Sequence, residues 1–239
     1  MIHFLKLAMA FLLIAAAPVA PPATTMPTEN AEYRELLTYG EAMLLTGKPA
    51  QAIARYFDPI ITAYETQYRG SAVKVYGART APETLFYMLI AAGEKRSAVA
   101  ISSTWGDAIY SKAFALVDLA RRAEAKPLFE QALALSPNNA RYLSELGNIA
   151  QLDKDWATAL DYFTRAAAAA GQFTPEDSKL IELTRAMRGQ GFALTELGRF
   201  DESEALYRKC LVLNPNDKGA QAELRYIEGR RPKRLPATS

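Results

Sequence analysis

Two side chains that carry much of enzyme and metal chemistry are almost missing. The 239-residue chain has one cysteine, Cys210, and one histidine, His3. A lone cysteine excludes an internal disulfide framework and any zinc cluster built on cysteines. His3 lies in a segment that reads as an address, so the working protein lacks the imidazole of a His-based triad and of most transition-metal sites. A dominant charge is missing too. The 28 Lys and Arg stand against 26 Asp and Glu, a formal charge of +2. A dedicated nucleic-acid binder shows a larger basic excess, so no nucleic-acid partner is expected. No G-x-S-x-G, H-E-x-x-H or phosphate-binding glycine loop occurs; Gly189-Gln190-Gly191 falls inside a helical pattern and reads as helix contacts. Together these absences predict a protein with no catalytic residues, no metal and no cofactor. With 50% hydrophobic and 23% charged residues, wholesale disorder is excluded as well.

Long apolar runs are scarce, and the one present is short. Leu7 to Ala17 reads LAMAFLLIAAA after a start with one firm positive charge, Lys6. Eleven residues span about 16 Å as a helix, too little for a bilayer core of about 30 Å. Length and flanks fit a secretory signal peptide. A buried amphipathic helix is the poorer reading, because the run has no polar face. Ala15-Ala16-Ala17 has the small-residue form of a cleavage site, but Pro18 follows it, which leaves an uncleaved anchor as the alternative. No cysteine follows the run, which argues against a lipoprotein. Residues 1–23 are therefore expected to be a signal peptide or N-terminal anchor, and 24–32 a disordered spacer that overlaps the Pro/Thr/Ala-rich stretch 18–30. The expected location is exported, periplasmic, with membrane association through the N-terminal segment if it is kept.

What the sequence does have is a period. Ala125-x3-Phe129-x2-Ala132-x4-Pro137 recurs as Ala159-x3-Phe163-x2-Ala166, an offset of 34 residues at all three shared positions. Leu143-x2-Leu146-Gly147-x2-Ala150 stands upstream of the second set. A third copy is Ser203-x3-Tyr207-x2-Cys210-x4-Pro215, displaced by one period plus ten residues. A weaker first copy is Gly40, Gly47 and Ala52-x3-Tyr56. With its 34-residue period and its L-G…A-x3-F…P pattern, the chain resembles the tetratricopeptide repeat family, as an exported bacterial member.

The resemblance implies an all-α fold, a right-handed superhelical solenoid of antiparallel helix pairs spanning 33–229. The units fall at 33–66, 67–105 (irregular), 106–139, 140–173 and 184–217, with a closing helix at 218–228 and a basic disordered tail at 230–239. The extra ten residues are expected as a loop near Gly171 to Leu183, where Gly171 and Pro175 stand. In the irregular unit, Pro82 opens a helix, and Val99-Ala100-Ile101 reads as a loop before a helix near Trp105, or as a short strand. Small residues such as Ala125, Ala159 and Ala166 let helices approach, and Phe129, Phe163 and Tyr207 fill the gap to the next unit. Cys210 takes the slot of Ala132 and Ala166, so it reads as a small buried hydrophobe rather than a reactive thiol. The carboxylate pairs Glu202/Glu204, Asp153/Asp155 and Glu176/Asp177 read as solvated helix faces.

In this family the first helix of each unit lines a concave groove. Carried over, the slots hold Asp107, Tyr110, Phe114 and Val117, then Arg141, Ser144, Asn148 and Gln151, then Arg185, Arg188, Phe192 and Thr195. Some members clamp a C-terminal carboxylate with Lys, Asn and Arg; only Asn148 and Arg188 match that set, and Tyr110, Phe114 and Phe192 sit where polar groups would be. Aromatic rings interleaved with arginines suit an extended peptide. The candidate groove is thus Tyr110, Phe114, Asn148, Gln151, Arg185, Arg188 and Phe192, unless these rings are covered by the protein itself. The resulting expectation is a non-catalytic exported scaffold that binds a peptide or protein partner in cell-envelope assembly or secretion. The alternatives are a peptidoglycan-acting enzyme with carboxylates near 67–105, and a passive dimerisation or spacer module.

Overall fold

The computed structural model describes residues 31–231. The expectations for the signal peptide, for the spacer before Ala31 and for the tail beyond Arg231 lie outside the described residues. Helix α1 (Ala31–Leu45) packs against a second helix made of α2 (Pro49–Ala52), a π turn at Ile53–Phe57, and α3 (Asp58–Tyr68). The π turn adjoins Pro59, whose ring nitrogen has no hydrogen to give the helical ladder. Phe57, Ile60 and Tyr64, spaced three and four apart, are buried and carry this pair's core.

The regular repeats follow as α5 (Thr104–Asp118) with α6 (Arg122–Leu135), α7 (Ala140–Leu152) with α8 (Trp156–Phe173), and α9 (Glu176–Glu196) with α10 (Phe200–Leu213). Helix α11 (Lys218–Arg230) closes the stack. The fold is a helical solenoid. Ala125, Ala132, Ala159 and Ala166 are fully buried, as are the rings of Phe129, Phe163 and Tyr207 within 1%. The Phe163 ring lies flat against two glycines of neighbouring first helices. A Cβ on Gly147 would stand 2.9 Å from it, and one on Gly189 2.4 Å. The turn inside each regular pair closes through a left-handed residue: Ala120 (φ 61°), Lys154 (φ 59°) and Gly198 (φ 76°).

Residues 67–105 form no irregular helix pair. They build a β-α-β unit: β1 (Lys74–Ala78), α4 (Ala81–Gly93) and β2 (Ala98–Ser102). The strands are parallel, in register from Lys74 opposite Ala98 to Ala78 opposite Ser102. Val99-Ala100-Ile101 is therefore strand, and the helix after it begins at Thr104. Two parallel strands hold because both faces are covered. Tyr76 and Ala78 pack under Tyr87 and Ala91 of α4, with the Tyr76 and Tyr87 rings stacked at 4.8 Å. On the other face Val75 and Ile101 join the core around Trp105, which is stacked between Tyr64 (5.6 Å) and Tyr68 (5.8 Å). The expectation of a purely helical chain is thus amended by one small sheet.

The ten extra residues near Gly171 to Leu183 do not make a loop. They lengthen α8 to 18 residues and α9 to 21, with only Thr174 and Pro175 between them. The added turns have something to meet. The Phe86 ring of α4 lies 5.0 Å from Phe173, and the Thr80 hydroxyl donates to the Phe173 carbonyl. Two departures from the period therefore answer each other: the β-α-β unit is docked on the extended ends of α8 and α9. At the termini, Ala31 and Glu32 are helical rather than spacer. Arg230 and Arg231 are not a loose tail either: Arg231 pairs with Glu204 at 2.5 Å and Asp201 at 2.8 Å.

Candidate interaction site

The inner faces of α5, α7 and α9 carry a continuous polar network. Asp107 accepts hydrogen bonds from the Tyr142 hydroxyl at 2.7 Å and the Ser103 hydroxyl at 2.6 Å. Arg141 lies 3.6 Å from the same carboxylate and over the Tyr110 ring at 4.7 Å. Burial works against the charge on Arg141, but Asp107 and the rings around it hold its guanidinium above the ordinary arginine value. Tyr110 stacks on Tyr142 at 5.1 Å and meets Phe129 edge-on at 5.6 Å. Its hydroxyl donates to Glu145, which also accepts from Asn148 at 3.0 Å and pairs with Arg185. Burial, then the Glu145 charge, pushes the Tyr110 hydroxyl up to about 12.

The seven groove residues read from sequence therefore separate. Tyr110 is 7% exposed and belongs to the core. Arg185 is held by Glu145, and Arg188 by Asp217 at 2.5 Å. Gln151 donates to the Gly189 carbonyl at 3.2 Å, tying α7 to α9. Phe192 is half-buried, edge-on to Trp156 at 6.0 Å. Only Phe114 and Asn148 open together onto one cleft.

That cleft has a volume of about 550 Å³ and lies between α5, α6 and α7. Its floor is apolar: Phe114, Val117, Phe129, Ile149 and Leu152. Phe114 remains 41% exposed and Leu152 63%. Its polar lining comes from Arg122, Lys126 and Glu130 of α6, at i, i+4 and i+8, and from Glu145, Asn148 and Asp153 at and just beyond α7. Pro127, inside α6, gives no N–H to the Ala123 carbonyl, and both residues line the cleft. Its size and mixed lining suit a small apolar group held by a few polar contacts. Reading first-helix positions alone misses the contribution of α6. The unusual Pro127 within a helical pattern was the one sequence signal for it.

Of the carboxylates within 67–105, Glu94 lies on the surface 3.6 Å from Arg96, and Glu83 is engaged in structure. Glu83 is fully buried; it accepts from the Tyr87 hydroxyl and the Arg79 amide, each at 2.7 Å. Burial raises its carboxyl above the usual range. Cys210 is buried, its thiol pushed up to about 11 by burial.

This arrangement of stacked helix pairs, small residues at the contacts and an inner face of first helices defines a helical-repeat protein. Residues 110–173 and 184–217 match the tetratricopeptide repeat family. The chain therefore carries tetratricopeptide repeats over these residues. Among solved structures it is similar to PilF of Pseudomonas aeruginosa, at 18% identity and a TM-score of 0.55, over 84% of this chain and 69% of that one. It is also similar to MamA of Desulfovibrio magneticus RS-1, at 15% identity and a TM-score of 0.54, over 85% and 87%. At these identities the likeness is one of fold. No curated protein matches the chain in sequence.

Proposed function

We propose that the protein is a non-catalytic scaffold that holds an apolar side chain of a peptide segment in the cleft between α5, α6 and α7. The observation that carries this is Phe114, a large ring left exposed over an apolar floor and ringed by both signs of charge. Exposed aromatics in a recess are the usual anchors of protein recognition. Arg122 and Lys126 would meet carboxylates or carbonyls of the peptide, while Glu130 and Asp153 would meet its cations. The Ala123 carbonyl, which Pro127 leaves without its i+4 donor, would meet a peptide N–H. A scaffold rather than an enzyme is favoured because Glu83, Asp107, Glu145 and Glu182 all spend their oxygens on structural partners. The N-terminal apolar run would carry the protein to the cell envelope, where it would hold its partner during assembly or secretion.

A photo-crosslinking residue placed at Leu152 tests the cleft in the full chain. It should capture a protein from the envelope fraction, and Phe114→Ala should abolish that product while leaving the melting temperature near that of the parent. If the bound peptide is recovered, truncating Phe114 and Leu152 together should weaken it by about 2 kcal/mol or more. An unchanged cross-link in Phe114→Ala would sink the assignment. N-terminal sequencing of the envelope protein tests export, and recovery of the intact chain from the cytoplasm would contradict it.

A further inference from the structure

The outer face of α4 is apolar and largely exposed, although Phe86 also rests against Phe173. Leu85 and Leu89 are each 61% exposed, with Phe86 at 39% and Ile90 at 37%. They stand at i, i+1, i+4 and i+5, one continuous stripe along the helix. The sole side chain between Ala81 and Gly93 that is charged at neutral pH is Glu83, and it is turned inward to Tyr87 and the Arg79 amide. A surface helix in water ordinarily carries charge on its outer side. Here the charges come only afterwards, as Glu94, Lys95 and Arg96 at the end of the helix.

The chain enters the fold beside this stripe. Arg34 and Leu37 of α1 line a groove of about 970 Å³ together with Leu85 and Met88 of α4. Arg34 is one turn from Ala31, about 5 Å along the helix axis. The apolar run Leu7 to Ala17 lies upstream of Ala31 in the sequence, separated by residues 18–30. A chain of that length reaches roughly 45 Å when extended, more than twice the ~20 Å length of α4. Both apolar elements can therefore address one surface.

We propose that the outer face of α4 is a membrane-surface contact. The helix lies in the plane of an anionic bilayer with Leu85, Phe86, Leu89 and Ile90 at the acyl boundary and Lys95 and Arg96 at the phosphates. Among the described residues no helix is long and apolar enough to cross a membrane, and 13 residues suit a helix that lies on one. Stable attachment to a bilayer generally takes two elements, and the N-terminal run, where it is kept, and α4 supply two. A second copy of the chain is the poorer occupant. The stripe offers on the order of 400 Å² of apolar surface, about half of what each partner of a stable complex buries. The inference does not rest on the peptide cleft, which is built from other helices.

The test uses the full chain and phosphatidylethanolamine–phosphatidylglycerol vesicles. Cys210 is fully buried, so a maleimide fluorophore reports from an introduced cysteine. With Leu89→Cys, the label should shift to the blue on vesicle addition and be quenched by brominated lipid. With Ala205→Cys, on the exposed side of α10, it should do neither. Leu85→Glu with Leu89→Glu should lower vesicle flotation tenfold or more, with an unchanged circular dichroism spectrum. If that variant fails to fold, the label arm decides alone. The proposal is overturned if the label at 89 stays in water while the chain floats with vesicles. It is overturned equally if the label is shielded before lipid is added. Shielding independent of protein concentration would mean the N-terminal segment covers α4; shielding that rises with concentration would mean a second copy does.

Discussion

Arg79, just beyond β1, and Glu182, on the lengthened α9, form a two-pronged ion pair at 2.7 and 3.1 Å, with both side chains only 8% exposed. Thr174 completes it, accepting from Arg79 at 3.1 Å and donating to Glu182 at 2.7 Å. The pair joins residues 103 positions apart and bolts the β-α-β unit to the repeat stack. Removing one partner leaves the other charge buried and alone. Arg79→Ala and Glu182→Ala should each destabilise by about 3–5 kcal/mol. The double variant should lose much less than the sum, and urea unfolding of the full cycle measures the difference. Additive losses would show that the pair does not hold the junction.

Gly189 has no space for a methyl group against Phe163. Gly189→Ala should cost about 1–3 kcal/mol through overpacking. Phe163→Ala, and likewise Phe129→Ala, should cost about 3–5 kcal/mol by leaving a cavity. Combining Gly189→Ala with Phe163→Ala should cost less than the sum, because the added methyl enters the vacated space. Thermal melts of the three variants read this directly.

Ala120 holds a left-handed conformation without being glycine. Ala120→Gly removes the clash of Cβ with the backbone and should stabilise by about 1 kcal/mol, less what glycine adds to unfolded-chain freedom. A lower melting temperature would contradict the reading.

Cys210 packs in a small-residue slot, with its thiol raised to about 11 by burial. A thiol reagent at pH 8 should label the folded protein only at the rate at which it opens, and fully after denaturation. Cys210→Ala should keep partner binding and cost far less stability than the phenylalanine variants.

Alkali should unfold the protein through its buried tyrosines. Tyr110 is raised to about 12, and Tyr87, Tyr142 and Tyr207 are raised too, in each case chiefly by burial. In the unfolded chain these hydroxyls titrate near 10. Between the two values the unfolded chain has lost a proton that the native state keeps. This stabilisation is therefore whole below pH 10 and is lost as pH rises through the native values. For Tyr110 the gap corresponds to about 3 kcal/mol. Tyrosinate absorbance should rise in two stages, the later one coinciding with loss of helical signal.

Part of this protein was legible in the residues alone. The Ala-Phe-Ala register at 125/129/132 and 159/163/166 defined the repeats, and the structure buries those side chains. A solenoid is nearly one-dimensional, so each contact joins neighbours about one period apart and leaves its mark in the spacing. Gly189 and Gly191 read as helix contacts because they fall inside a helical pattern, and rings do rest on both.

Contacts outside the period left no such mark. The strand at 98–102 depends on pairing with 74–78 across a helix, and short apolar stretches do not declare strand or loop by themselves. The ten-residue excess became helix because the β-α-β unit offered α8 and α9 a surface to cover. Tyr110 and Arg185 had the types and spacing of ligand-binding groups, yet Glu145 and Tyr142 claim them, while Phe114 is left to the cleft. Repeat and register were thus determined by the sequence itself, because those forces act between near neighbours. Which inner-face side chains stay available was decided only in three dimensions, because a buried polar group takes whatever partner the fold brings within about 3 Å.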